Sequence, residues 1–379
     1  MLRLALLPLL LALPAAAGRR RVEPPPPDPV PVDEPAPPAW TEPLFPPTVV
    51  VDTGPVPPGL ASDAAQACAA CHPRSYEDWR HGGHARAPSS DHVSASAGLV
   101  GCDACHRPRT PQRPTVDTVW DGHLETAVRT PNPAFDAGAW LEGVGCAGCH
   151  VRGGVVLTAD PEAAARQAAP HPLRHAPALA TGEVCAACHQ LSVPGSDAPL
   201  YDTVGELQRS GFAAAGVTCL TCHGRAGAEV GFATHDPGRP LEHALSVGLS
   251  LPALALARGA EPVAATVRLR NTGAGHAIPT GSPWRRVEVR AWLEGPPDAK
   301  TKVRPHRAEV AATLGRTLTT APPYVVTGDT RLDPGEELAL PMALALPLEV
   351  PAAGWELVVD AGVPGDADRV TRRWPISVD

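Results

Sequence analysis

Two patterns of apolar and polar positions divide this chain. From about Val263 onward, apolar residues recur at every second position. Ala265, Val267 and Leu269 alternate with Thr266, Arg268 and Arg270, and Val287, Val289, Ala291 and Leu293 alternate with Arg286, Glu288 and Arg290. Leu338, Leu340, Met342, Leu344 and Leu346 repeat the pattern, followed by Trp355, Leu357 and Val359. A period of two puts the apolar set on one face of a strand. With Gly/Pro turns such as Asp333-Pro334-Gly335 between the runs, it predicts an antiparallel β-sandwich domain over 246–379. Over 61–245 no period is sustained. Short helices are predicted at Arg74–Trp79, Pro161–Ala169 and Val204–Ala215, the second capped by Asp160 with Pro161 in its first turn. The rest of that region is loop broken by Gly and Pro.

The N-terminus carries a third pattern. Arg3, an apolar run from Leu4 to Leu13 and the small residues Ala15, Ala16 and Ala17 read as a signal peptide over 1–17, cleaved after Ala17. The run is too short for a stable membrane span, and the apolar stretch at 244–257 is interrupted by Ser246, Gly248, Ser250 and Pro252. A mature chain without a transmembrane span, periplasmic or at the cell surface, is therefore expected. Residues 18–60 are dense in Pro and read as a disordered linker.

Cysteine placement supplies the candidate chemistry. All ten Cys of the 379-residue chain fall in five C-x-x-C-H words. They are CAACH at 68–72, CDACH at 102–106, CAGCH at 146–150, CAACH at 185–189 and CLTCH at 219–223. Paired C-x-x-C also suits zinc, but a His directly after every pair is the attachment pattern of c-type haem. Cys68 with Cys71, Cys102 with Cys105, Cys146 with Cys149, Cys185 with Cys188, and Cys219 with Cys222 are then the thioether positions. His72, His106, His150, His189 and His223 are the proximal iron ligands. The expected cofactors are five covalently bound c-type haems, filling a loop-rich helical domain over 61–245. The aromatic content of 4% agrees with porphyrin faces replacing Phe and Tyr in the core. A formal net charge of −8 argues against nucleic acid as a partner.

The second axial ligand sets the function of a haem. Met is excluded, because beyond Met1 the chain has only Met342, in a predicted strand. Ten His lie outside the words, at 81, 84, 92, 123, 171, 175, 235, 243, 276 and 306. Bis-His ligation of most haems is expected, which favours low-potential, low-spin iron and electron transfer.

The segment CAACHPRSYEDWRHGGHARA (68–87) resembles the opening of the cytochrome c-554 family of multihaem cytochromes. EGVGCAGCH (142–150), HPLRHAPALATGEVCAACHQ (171–190), GVTCLTCHG with the later THDPG (216–238) and NTGAGHAIPTGSPWRRVEV (271–289) are similar to larger members of that group. The chain departs from them after the fifth word, where Gly224-Arg225-Ala226 replaces a longer basic stretch containing Met. The resemblance implies distal roles for His84, His123, His171, His235 and His276, with His81, His175 and His243 as competitors. It implies a pentahaem carrier passing electrons between redox partner proteins outside the cytoplasm. The alternative is an oxidoreductase acting on a small nitrogen or sulfur compound at one open haem. Against that alternative, the chain has no C-x-x-C-K word and has only three Tyr.

Overall fold

The strands of the C-terminal part carry the main core of the molecule. The computed structural model describes residues 38–45, 50–89, 102–117, 129–167, 169–193, 195–224, 240–319, 323–365 and 368–379. The signal peptide 1–17 and the first part of the Pro-rich segment lie outside them.

Seven short strands thread the word region: β1 (Thr115–Asp117), β2 (Arg129–Pro131), β3 (Val151–Arg152), β4 (Val155–Thr158), β5 (Leu173–His175), β6 (Gln190–Leu191) and β7 (Tyr201–Asp202). Beyond them come β8 (Leu245–Ser250), β9 (Ala255–Leu256), β10 (Val263–Asn271), β11 (Arg286–Glu294) and β12 (His306–Leu318). They are followed by β13 (Val326–Asp329), β14 (Glu337–Leu344), β15 (Trp355–Gly362) and β16 (Arg369–Val378). These nine form two sheets, in the orders β14-β10-β8 and β13-β12-β11-β15-β16-β9. Pairing is antiparallel except between β16 and β9. Both sheets turn their alternate apolar residues into one core. Val267, Leu269, Val289, Ala291, Leu293, Leu357 and Val359 are fully buried there. The strands curl around this core as a β half-barrel.

The expected fold class, a haem-packed helical domain followed by a β-sandwich, is corrected by this architecture. Strand exceeds helix, at 32% against 23%. The longest helix among the described residues, Pro73–His81, has nine residues. Helices do form near the predicted places, but they are brief. Pro161–Arg166 is capped as expected, with the Asp160 carboxylate accepting from the backbone N–H of Glu162 and Ala163 at 2.8 and 3.2 Å. The expected 204–215 helix is broken into Thr203–Gln208 and Gly211–Ala214. Gly and Pro limit each segment to one or two turns, so no helix presents an apolar stripe long enough to organise a core. The small core of the word region instead gathers Leu44, Leu157, Ala176 and Leu179.

Residues 38–45 run along this region rather than away from it. The Trp40 N–H donates to the His175 carbonyl at 2.7 Å, and Leu44 is buried against Leu157 and Leu179. Apolar side chains among the prolines give this end of the segment something to bury. Among the described residues, no helix is long and apolar enough to cross a membrane.

One edge of the half-barrel has a pH dependence that can be worked out. Glu294 accepts from Arg373 and lies 3.5 Å from the Arg304 guanidinium and 3.6 Å from His306. These long side chains cover it close to the molecular surface. Burial pushes its carboxyl up, but the Arg373 hydrogen bond, with Arg373, Arg304 and His306 as positive neighbours, outweighs this and holds it below the usual range. The native state thus binds fewer protons than the unfolded chain. The resulting stability is present above about pH 4.3, the unfolded value, and is lost as the pH falls through the folded value. Glu294→Gln is expected to have a urea midpoint that falls less between pH 6 and pH 3 than that of the parent. Equal pH slopes in the two proteins would remove Glu294 from the account.

Candidate functional site

Each word after the first lies in a short helix: Cys102–His106, Cys146–His150, Glu183–His189 and Cys219–His223. The first straddles the end of Ala65–Cys68 and the start of Pro73–His81. In a helical turn, positions three apart share a face, which groups the two thiols of a word. Packing then closes this face with a thiol from another word. The Cys68 thiol lies beside that of Cys146, Cys105 beside Cys188, and Cys185 beside Cys219. Burial pushes the Cys149 thiol up, and the nearby Arg152 charge offsets this only in part.

This arrangement corrects the expected cofactors. The word region is threaded by strands and has only short helices, so it lacks the expected helical multihaem arrangement. Among the described residues, no group of three or more His, Cys, Asp or Glu side chains is placed to hold a metal ion. The five-haem count and the metal-binding assignment of the His residues are therefore not carried forward.

The histidines nevertheless converge. His189 of the fourth word faces His84, with ring centroids 6.3 Å apart and planes at 53°. His223 of the fifth word faces His276 from the β half, also at 6.3 Å, with planes at 15°. Each pair joins a His of a word to one outside the words. His106 and His150 place Nδ1 2.8 Å from the Ala87 carbonyl and 3.0 Å from the Leu157 carbonyl, respectively. His276 Nδ1 lies 3.1 Å from the Ala277 carbonyl. A carbonyl can only accept, so Nδ1 carries the hydrogen in all three rings.

His189 sits where these rings meet. Its side chain is exposed to solvent yet has protein around it at longer range. Burial lowers its pKa to about 4, with His84, His223, His276 and His106 adding repulsion. Burial also pushes His106 and His171 down. For His189 and His106 the surroundings therefore favour the neutral imidazole.

The remaining candidates are scattered. His171 and His175 are half-buried beside and within β5. His81 is exposed, 3.5 Å from Glu77. His243 is exposed in the turn Leu241–His243, and His306 stacks on Trp292 at 5.1 Å. His92, His123 and His235 lie outside the described residues.

Sequence reasoning missed the polar residues that join the two halves. Glu206, in Thr203–Gln208, is buried and accepts from Arg331, Thr280 and the Ala277 N–H. Arg316, buried in β12, donates to the Leu200 carbonyl at 2.5 Å. Tyr324 packs with Val193 and Leu200, its N–H donating to the Ser196 hydroxyl at 2.9 Å. No local signal marks Glu206, a single acidic residue in a short amphipathic run.

No family model matches this chain, and no curated protein does. Among solved structures, the Bacillus subtilis sporulation control protein Spo0M is similar over 36% of this chain and 49% of its own, with 20% identity and a TM-score of 0.20. The chain thus spans about half the length of Spo0M. AvmM, which catalyses macrocyclization in alchivemycin A biosynthesis, is similar over 36% of this chain and 89% of its own, with 11% identity and a TM-score of 0.23. A Paenibacillus barengoltzii beta-glucosidase is similar over 35% of this chain and 13% of its own, with 18% identity and a TM-score of 0.19. At such scores, neither fold nor activity passes from them to this chain.

Proposed function

We propose that this chain passes electrons between redox partner proteins outside the cytoplasm, as its resemblance to the cytochrome c-554 family implies. The observation that supports the reading is the pairing of His189 with His84 and of His223 with His276, at equal separations of 6.3 Å. In each pair a ring belonging to a word meets a ring from outside the words, and the second pair links the word region to the β half. His189 lies close enough to His84, His223, His276 and His106 for each to influence its titration, so the two pairs belong to one cluster. Electron transfer needs close, rigid centres and no nucleophile or proton relay.

The test uses the full chain, exported through its own leader in a bacterium that matures c-type cytochromes. Voltammetry, a pyridine haemochrome assay, thiol titration and carbon monoxide addition are applied to the same preparation. Reversible one-electron couples that His84→Ala and His276→Ala shift, with no spectral response to carbon monoxide, are expected. A protein without any reversible couple and with ten titratable thiols would overturn the proposal. A carbon monoxide shift in the parent protein would replace the carrier by a reductase acting on a small molecule.

A further inference from the structure

We infer that Glu206 is a positioning residue that holds His276 opposite His223, so that the β half completes a site begun by the fifth word. The inference rests on the functional reading only in treating that imidazole pair as the working site. Glu206 has a side-chain exposure of 3% and uses both carboxylate oxygens. Oε2 accepts from the Ala277 N–H at 3.1 Å and from the Thr280 hydroxyl at 2.6 Å. Oε1 accepts from Arg331 Nη1 at 2.5 Å. One carboxylate therefore ties the helix Thr203–Gln208 to the residue after His276, to the end of the same loop and to the segment following β13.

Apart from the hydroxyl contact of Thr203 with Thr280 at 2.9 Å, this carboxylate supplies the loop's hydrogen bonds to the helix Thr203–Gln208. Asn271 Nδ2 donates to the carbonyls of His276 and Leu332 at 2.9 and 3.0 Å, and its Oδ1 accepts from the Ala274 N–H at 3.1 Å. These contacts shape the loop within the β half but do not bring it to His223. The glycines permit the approach. A Cβ at Gly275 would lie 2.6 Å from Leu207 Cδ1, and one at Gly273 would lie 1.9 Å from the His243 carbonyl oxygen. The backbone thus lies directly against the helix that carries Glu206. Bonding to the neighbouring N–H of Ala277 transmits the position of that helix to the His276 ring.

The experiment reads the reactivity of single imidazoles. The full exported protein and its variants are treated with diethyl pyrocarbonate, and carbethoxylation of each His is followed by peptide mass mapping. Glu206→Ala is expected to raise the rate at His276 about tenfold, the order expected from losing buried charge-assisted hydrogen bonds. The rate at His84, whose partner His189 is not held by Glu206, is expected to stay unchanged. Glu206→Gln keeps one oxygen to accept from Ala277 and is expected to restore most of the protection. Thr280→Val removes the hydrogen bonds to Glu206 and Thr203 and leaves the Arg331 pair intact, so it remains informative should Glu206→Ala not fold; a rise of about twofold is expected. Unchanged His276 reactivity in Thr280→Val and, where it folds, in Glu206→Ala would overturn the inference. A parallel rise at His84 and His276 would also overturn it, by making Glu206 general structural glue. A protein with no redox couple but Glu206-dependent protection of His276 would end the electron-transfer reading while leaving this one standing.

Discussion

Arg109→Met is expected to destabilise the word region by about 3–5 kcal/mol, the cost of leaving buried charges without their partner. Arg109 is 1% exposed and donates to Asp63 at 2.7 Å and to Glu142 at 2.9 Å. Asp63 precedes the first word, Arg109 follows the second and Glu142 precedes the third, so one guanidinium pins three words together. Other bonds depend on that placement. Glu142 also accepts from the Ala65 N–H at 3.1 Å, and Asp63 from the Thr53 hydroxyl at 3.2 Å. Burial pushes the Glu142 carboxyl up, and Arg109 is the first influence opposing it. With Arg109 gone, Glu142 would take up a proton more readily, so Arg109→Met/Glu142→Gln should regain part of the loss. Urea unfolding followed by Trp fluorescence can report this, since Trp79 donates to the Val144 carbonyl and Trp140 stacks under Arg107 in the same region. A loss below about 1 kcal/mol, the scale of an exposed ion pair, would show that the triad does not hold the words.

Trp355→Ala is expected to cost the β half about 3–5 kcal/mol, through lost burial and the cavity left behind. Trp355 is 1% exposed at the start of β15, with Nε1 donating to the Pro351 carbonyl at 2.9 Å. Its ring lies against Gly295, where a Cβ would come within 3.0 Å of Cη2. For a unit of this size, such a loss corresponds to a fall of about 10 °C in the melting midpoint. Trp355→Phe keeps most of the apolar volume and should cost far less. Calorimetry of the full chain decides it: if the two variants melt together, packing at this position is not what supports the half-barrel.

The two halves were legible to different degrees, and the reason is the range of the interactions. Alternation in β10, β11, β14 and β15 is a local property, and the residues it marks, such as Val267, Val289 and Leu357, are buried. Strand β8 was passed over, because its Ser and Gly positions face outward and only Leu245 is fully buried. In the word region, Asp160 could be read as a cap because capping spans three residues. The grouping of thiols across words could not be read there. It depends on which helix packs on which, and five near-identical words carry no preference among themselves.

The amino-acid sequence by itself determined the five words, the His supply and the strand periodicity, since each follows from residue types at short spacing. Tertiary structure decided that the chain is strand-dominated, that Cys68 lies beside Cys146, and that His84 and His276 are brought to words. The second set depends on contacts between residues far apart in the chain. His276 reaches His223 because a buried carboxylate and the missing side chain of Gly275 let one loop lie against one helix, and no short-range pattern records that.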